Sequence, residues 1–349
     1  MPKQHLRYPA SSKETGAANR QRGLKVPLFV LACLLVPLDI LRQSLRQGHL
    51  PTYQYPATTA TTARTPRLGD DCLLVFLDVG ANIGIHSRFL FEPQHYPTAL
   101  QAHKVFDHVF GRQRDNRDIC AFAFEPNPRH RSRHQQLQQA YQDRGWRYHV
   151  IEAGVSDDQG NNMTFYHKTN DHDKEEWAFS MVQEKAEEIP EVVPVIHLTE
   201  WIQHHIVERR VPTRICGQAY PQSTIERGSV VMKLDIEGNE FVVLPNLFAS
   251  GIFCRHLDVV FGEFHPGTAH LYNRHGSDNV NDNHQGQTQI GNGRDAMLWF
   301  RVLEKIMRSI HPKDCLGRWL NFDEESYLHD GVPLPVGNIQ HEEPICAGA

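Results

Sequence analysis

Residues 78–84 read DVGANIG: a carboxylate, Asp78, then two glycines, Gly80 and Gly84, with Asn82 between them. An apolar run precedes this stretch and an apolar-periodic one follows it, so a strand breaks into a helix through the glycines. Such turns hold nucleotides. A dinucleotide fingerprint needs G-x-G-x-x-G facing a pyrophosphate, whereas here the spacing is G-x-x-x-G with an acid just ahead of it. That acid would repel a pyrophosphate and suit a cationic ligand. S-adenosylmethionine is such a ligand, with its ammonium and its sulfonium. A second acid, Glu125, lies 41 residues past Gly84 in AFEPNP, where a carboxylate can accept from ribose hydroxyls. The usual gap is about 20 residues, so residues 92–118 carry an insertion.

These side chains need a scaffold, and alternating elements supply one. CLLVFLDV (72–79) is a continuous apolar run, as in a strand buried on both faces. ICAFAFEP (119–126) is a second such strand, and Asn127 and Pro128 then open a helix as N-cap and first helical residue. WRYHVIEAGVSDDQG (146–160) gives a third strand and a turn. Strands at 163–167 and near 192–197 bracket a charged loop, and residues 199–209 read as a helix capped by Thr199. SVVMKLDIEGNE (229–240) is a fourth core strand, with a helix behind it that Gly251 can close. HLDVVFGEFHPG (256–267) is a fifth. Residues 294–310 have helical spacing, and a final β region covers about 315–330. Alternating β and α implies a mostly parallel sheet with helices on both faces. In such a sheet the ligand sits beyond the strand C-termini, so Asp78, Glu125, Asp157, Asp235 and Glu263 are expected on one rim.

The remaining sequence bounds the protein class. A net charge of −5 gives no nucleic-acid signature. Seven scattered cysteines without a CxxC pair argue against a zinc ribbon or a dense disulfide framework, and their odd number argues against a fully disulfide-bonded secreted domain. The 22 histidines contain no HExxH. Residues 1–25 are basic, and VPLFVLACLLVPLDIL (26–41) holds Asp39 as its one charge. As a helix the segment spans about 24 Å, short of a hydrocarbon core of about 30 Å, unless Lys25 and Arg42 snorkel. The basic flank favours a cytosolic N-terminus, and no A-x-A cleavage site follows. The expectation is a single-pass type II anchor in an endomembrane such as the Golgi. Residues 42–69 are a Thr/Pro-rich linker, the folded domain runs over 70–335, and 336–349 form a tail. Residues 273–293, rich in Asn, Gly, Gln and His, read as a mobile loop.

Taken in order, FLDVGANIGIHS, AFEPNP, AGVSDDQG, VVMKLDIEGNEFVVL and DVVFGEFHP resemble the successive motifs of the FkbM-type methyltransferases, over about residues 72–266. The resemblance implies a Rossmann-like class I fold with a mostly parallel seven-stranded sheet. It also implies S-adenosylmethionine as cofactor and O-methylation of a hydroxyl on a sugar or other small acceptor. The insertion at 92–118, the 273–293 loop and the N-terminal segment depart from the family pattern.

On that basis Asp78, Gly80, Asn82 and Gly84 should form the methionine end of the cofactor site. Glu125 should hold the ribose, and Ser156 and Asp157 the adenine edge. Methyl transfer to an alcohol needs alignment and removal of the hydroxyl proton. Asp235 and Glu237 are expected to shape the acceptor side, with His265 as base, and Lys233 should pair with a rim acid. No metal is assigned. A divalent cation shared by Asp235, Glu237, Glu263 and His265 is the weaker reading, because the sequence fixes no ligand geometry. Two other functions compete: a catalytically inactive Rossmann-like binding domain, and a nicotinamide-dependent reductase. The expected partners are a small-molecule or glycan acceptor and, through the N-terminal segment, a membrane.

Overall fold

The computed structural model describes residues 64–157, 162–168, 179–181, 186–212, 222–265, 301, 305, 315–322 and 330–335. Contacts divide the chain into Met1–Arg64 and Thr65–Ala349, and the architecture below belongs to the second unit. The expected anchor at 26–41 and the loop at 273–293 lie outside the described residues, as do most of 294–310. Among the described residues no helix is long and apolar enough to cross a membrane.

β1 (Leu74–Val79) is buried at every position, and its side chains alternate between two faces. Val75, Leu77 and Val79 face one core cluster, and Leu74 and Phe76 face the other. Both faces are therefore covered, which is why the strand reads as an unbroken apolar run. β2 (Ile119–Phe124) and β7 (Ser229–Leu234) flank β1 in parallel. With β3 (Arg147–Ile151), β8 (Val259–Gly262) and β9 (Arg318–Asn321) they form one sheet of order β3-β2-β1-β7-β8-β9. All its pairings are parallel. The described sheet thus has six strands rather than the expected seven. The β region expected over 315–330 is the four-residue β9.

On one face pack α1 (Ile85–Phe91), α2 (Leu100–Phe110) and α3 (Arg131–Gln142), through Phe89, Phe106, Leu137 and Tyr141. The other face takes α4 (Leu198–Ile202), α6 (Glu240–Ala249) and α7 (Ile252–Arg255), with α5 (Gln222–Arg227) between α4 and β7 in the chain. The insertion at 92–118 is largely α2, an extra helix packed against α1, which accounts for the long gap before Glu125. Asn127 caps as expected, its Oδ1 accepting from Arg129 N at 3.0 Å. Thr199 does not cap α4: His197 does, through Nδ1 and the amide of Glu200.

The chain leaves the main sheet after β3. β4 (Gly154–Ser156), β5 (Asn162–His167) and β6 (Ile189–His197) form a second sheet of order β4-β6-β5. Two disulfides, Cys72–Cys120 and Cys254–Cys315, close across this unit, so an odd cysteine count did not prevent pairing. A C-terminal segment, 330–335, is pinned to α1. Arg88 is wholly buried and donates to Glu92, Asp330 and the carbonyls of Val332 and Pro333.

Candidate active site

β1 ends between β2 and β7, so the turn after it emerges at the middle of the rim. Gly80 has φ 79°, and a Cβ there would lie 1.8 Å from the carbonyl oxygen of Asp235. Only glycine lets the two chain segments approach this closely. Every backbone amide of the turn is engaged by the protein. Gly80 N and Ala81 N donate to Phe124 O, Asn82 N to Glu125 Oε2 at 2.6 Å, Ile83 N to Asn82 Oδ1 at 2.7 Å, and Gly84 N to Ala81 O. A phosphate cradle needs these donors pointing at the ligand, and here none is left for one.

The turn borders a cleft of about 710 Å³, including its open mouth. Gly80, Asn82 and Glu125 line one side, and Asp235 and Glu237 line another. Glu125 follows β2 and is nearly buried. Its second oxygen accepts from Asn127 N at 2.8 Å. Each carboxylate oxygen can accept twice, so Oε2 keeps an acceptor site beyond its amide, while Oε1 also faces His130 Nδ1 at 3.5 Å.

Four expected cofactor residues are placed differently. Asp78 is fully buried beneath the turn, accepting from Ser87 Oγ at 2.7 Å, and burial raises its pKa. It supports the turn from behind instead of lining the cleft. Gly84 is a packing residue: a Cβ there would meet Tyr148, Leu137 and His134. Ser156 and Asp157 bond each other, and the cleft wall is instead Ala153–Val155. The chain changes sheets after Ile151, so Ser156 ends β4 of the second sheet and not a strand of the main one. Phe165, Phe179 and Met181, from the second sheet and its neighbouring segment, complete the wall with apolar surface. No local pattern marks them, because they join the site only through pairings of the second sheet. Asn239 and Ile236 also line the cleft.

Asp235, Glu237 and His265 come together. His265 Nε2 lies 3.7 Å from Asp235 Oδ1 and 3.6 Å from Glu237 Oε2, while Nδ1 is 3.1 Å from Glu240 Oε1. Glu263 stands outside this group. Lys233, nearly buried, donates to Gly80 O at 2.6 Å and Asp235 Oδ2 at 2.9 Å, the pairing its position suggested. Glu237 holds a left-handed backbone, φ 55°, a conformation that non-glycine residues keep mainly where function needs it.

The cluster's electrostatics follow from burial and crowding. Burial drives the Glu237 carboxyl up to about 8, helped by the neighbouring Asp235 and Glu240 charges. Burial alone would lower His265, but the hydrogen bond and charge of Glu240, with the charges of Glu237 and Asp235, raise it to about 10. The acids around His265 thus favour its imidazolium, which weighs against its expected role as the base. One ligand atom from each of Asp235, Glu237 and His265 lies within 4.8 Å of the others, a spacing one divalent ion could span. We read the group as an internal polar network, because Lys233 already pairs with Asp235 and Glu240 holds the His265 ring.

No curated protein and no solved structure matches the chain. The family model for the methyltransferase FkbM domain matches residues 78–275, from the acid of the glycine turn to beyond His265. That match covers more than half of the 349 residues, and the chain belongs to the FkbM methyltransferase family.

Proposed function

We propose that this methyltransferase uses S-adenosylmethionine to methylate a hydroxyl of a sugar or other small acceptor. The observation that carries the reading is the turn at 80–84. Its amides are all used by the protein, which disfavours a dinucleotide pyrophosphate, yet it sits beside a fixed carboxylate and an open cleft. The turn residues Gly80 and Asn82 would take the methionine end. Glu125 would accept from the ribose hydroxyls. Val155, Phe165, Phe179 and Met181 would take the adenine against apolar surface.

The bound cofactor would supply an electrophilic methyl group. The chain's own task is to present the acceptor oxygen and remove its proton. Asp235 and Glu237 face the cleft and can hold a hydroxyl by accepting from it. Glu237, with its carboxyl raised to about 8, is matched to proton transfer near neutral pH. As the new carbon–oxygen bond replaced the methyl–sulfur bond, leaving a neutral thioether, the acceptor proton would pass to a Glu237 carboxylate oxygen. The His265 imidazolium then stabilises the charge around the transfer.

The two disulfides support a location on the oxidising side of a membrane. They agree with a type II orientation, in which the basic residues 1–25 stay cytosolic and the domain enters an endomembrane lumen. Incubating the chain with radiolabelled S-adenosylmethionine and fractionated glycans or metabolites tests the function. Label incorporated by the wild type and lost in Glu237→Gln supports it. Absence of transfer to any fraction, despite tight cofactor binding, would favour a binding-only domain.

A further inference from the structure

Glu240 is the first residue of α6 and is fully buried. A buried carboxylate is costly unless donors surround it. Glu240 has three: the amide of Ile236 at 2.8 Å, the amide of Gly238 at 2.9 Å and His265 Nδ1 at 3.1 Å. The first two belong to the loop that carries Asp235 and Glu237. The third belongs to the segment after β8, 25 residues further along the chain. Because backbone amides can only donate, Glu240 must act as an acceptor toward them. With Glu240 ionised, Nδ1 of His265 is the donor of their bond, and Nε2 is the atom turned toward Asp235 and Glu237.

We propose that Glu240 is the positioning residue of the acceptor side. One buried carboxylate fixes both the loop bearing Asp235 and Glu237 and the imidazole of His265, presenting the three as a unit. The proposal rests on the reading of this lip as the acceptor side. It assigns Glu240 no contact with acceptor or cofactor. A simple cap of α6 would need the two loop amides and would have no use for His265.

Among the described residues, charged groups facing His265 include Glu240 from α6 and Glu237 and Asp235 from the loop, with Lys233 of β7 behind Asp235. The test follows the ring in the full chain, isotopically labelled at histidine, with the His265 resonance identified by its loss in His265→Gln. In the wild type the ring should stay protonated well above the ordinary imidazole midpoint of about 6.5, with its hydrogen on Nδ1 once it is neutral. In Glu240→Gln the midpoint should fall by at least one pH unit, while S-adenosylhomocysteine affinity stays within threefold. A Glu240→Gln protein with lower thermal stability and an unmoved His265 midpoint would reduce Glu240 to a helix cap and overturn the proposal. If Glu240→Gln does not fold, the wild type decides: an ordinary His265 midpoint, or a neutral ring protonated on Nε2, overturns it. Loss of S-adenosylhomocysteine binding in the wild type would instead refute the cofactor reading and leave the Glu240–His265 coupling standing as measured.

Discussion

Replacing Gly80 with alanine tests how tightly the turn is closed. The new methyl would lie 1.8 Å from the carbonyl oxygen of Asp235, 2.9 Å from its carbon and 3.3 Å from Ile236 Cγ2. The first two atoms are backbone, so no rotamer change relieves the clash. The residue would also hold a φ of 79°, which costs an L-residue about 1–2 kcal/mol. The loop at 235 must retreat, and two bonds are strained with it: Asp235 N to Val79 O at 3.1 Å and Lys233 Nζ to Gly80 O at 2.6 Å. A neutral backbone bond is worth roughly 0.5–1.5 kcal/mol, and one from a charged donor about 1.5–3 kcal/mol. Gly80→Ala should therefore lose about 3–6 kcal/mol of unfolding free energy in urea. It should also lose S-adenosylhomocysteine binding in calorimetry, since the displaced loop is the opposite wall of the cleft. Gly331→Ala is the control: a Cβ there meets nothing within 4 Å, and its stability should stay within about 0.5 kcal/mol of wild type. A Gly80→Ala protein within about 1 kcal/mol of wild type, binding ligand normally, would refute this account of the turn.

Three further outcomes are expected. Transfer of labelled methyl to an accepting fraction should rise with pH toward about 8, because Glu237 must lose its proton before it can take one. Glu237→Gln should remove that limb and slow transfer by roughly 10²–10⁴-fold. Reduction of Cys72–Cys120, whose cysteines are 48 residues apart, should cost about 4 kcal/mol on the chain-entropy model. Non-reducing peptide mapping should recover both disulfides from protein secreted or retained in an oxidising lumen. Asp330→Ala should destabilise by about 3–5 kcal/mol in thermal or urea unfolding, because it removes the buried partner of Arg88, Arg133 and Tyr96.

The central strands were legible because burial on both faces writes a continuous apolar run, as in 72–79, 119–124 and 229–234. The same runs placed Glu125 and Asp235 at strand ends, and with them the two lips of the cleft. What local pattern could not carry is pairing at long range. Ser156 and Asp157 look like the end of a third core strand, but the chain changes sheets after Ile151. Phe165, Phe179 and Met181 reach the cleft through that second sheet. Gly84 shares its motif with Gly80, yet its lack of a side chain serves packing against Tyr148 and Leu137. Glu240 reads as an ordinary acid at a helix start, and only the fold brings His265 to it. Residues 92–118 resisted assignment as one helix because they hold α2 between short 3₁₀ turns.

The central claim is that the cleft holds S-adenosylmethionine, with Glu125 as its ribose ligand. Calorimetric titration of the full chain with S-adenosylhomocysteine, in wild type and Glu125→Ala, tests it most directly. The account predicts micromolar binding by the wild type. Loss of a charged acceptor for two hydroxyls, at about 1.5–3 kcal/mol each, should weaken the variant by at least about 100-fold. Binding of NADPH in place of S-adenosylhomocysteine, or equal affinity in the two proteins, would contradict it.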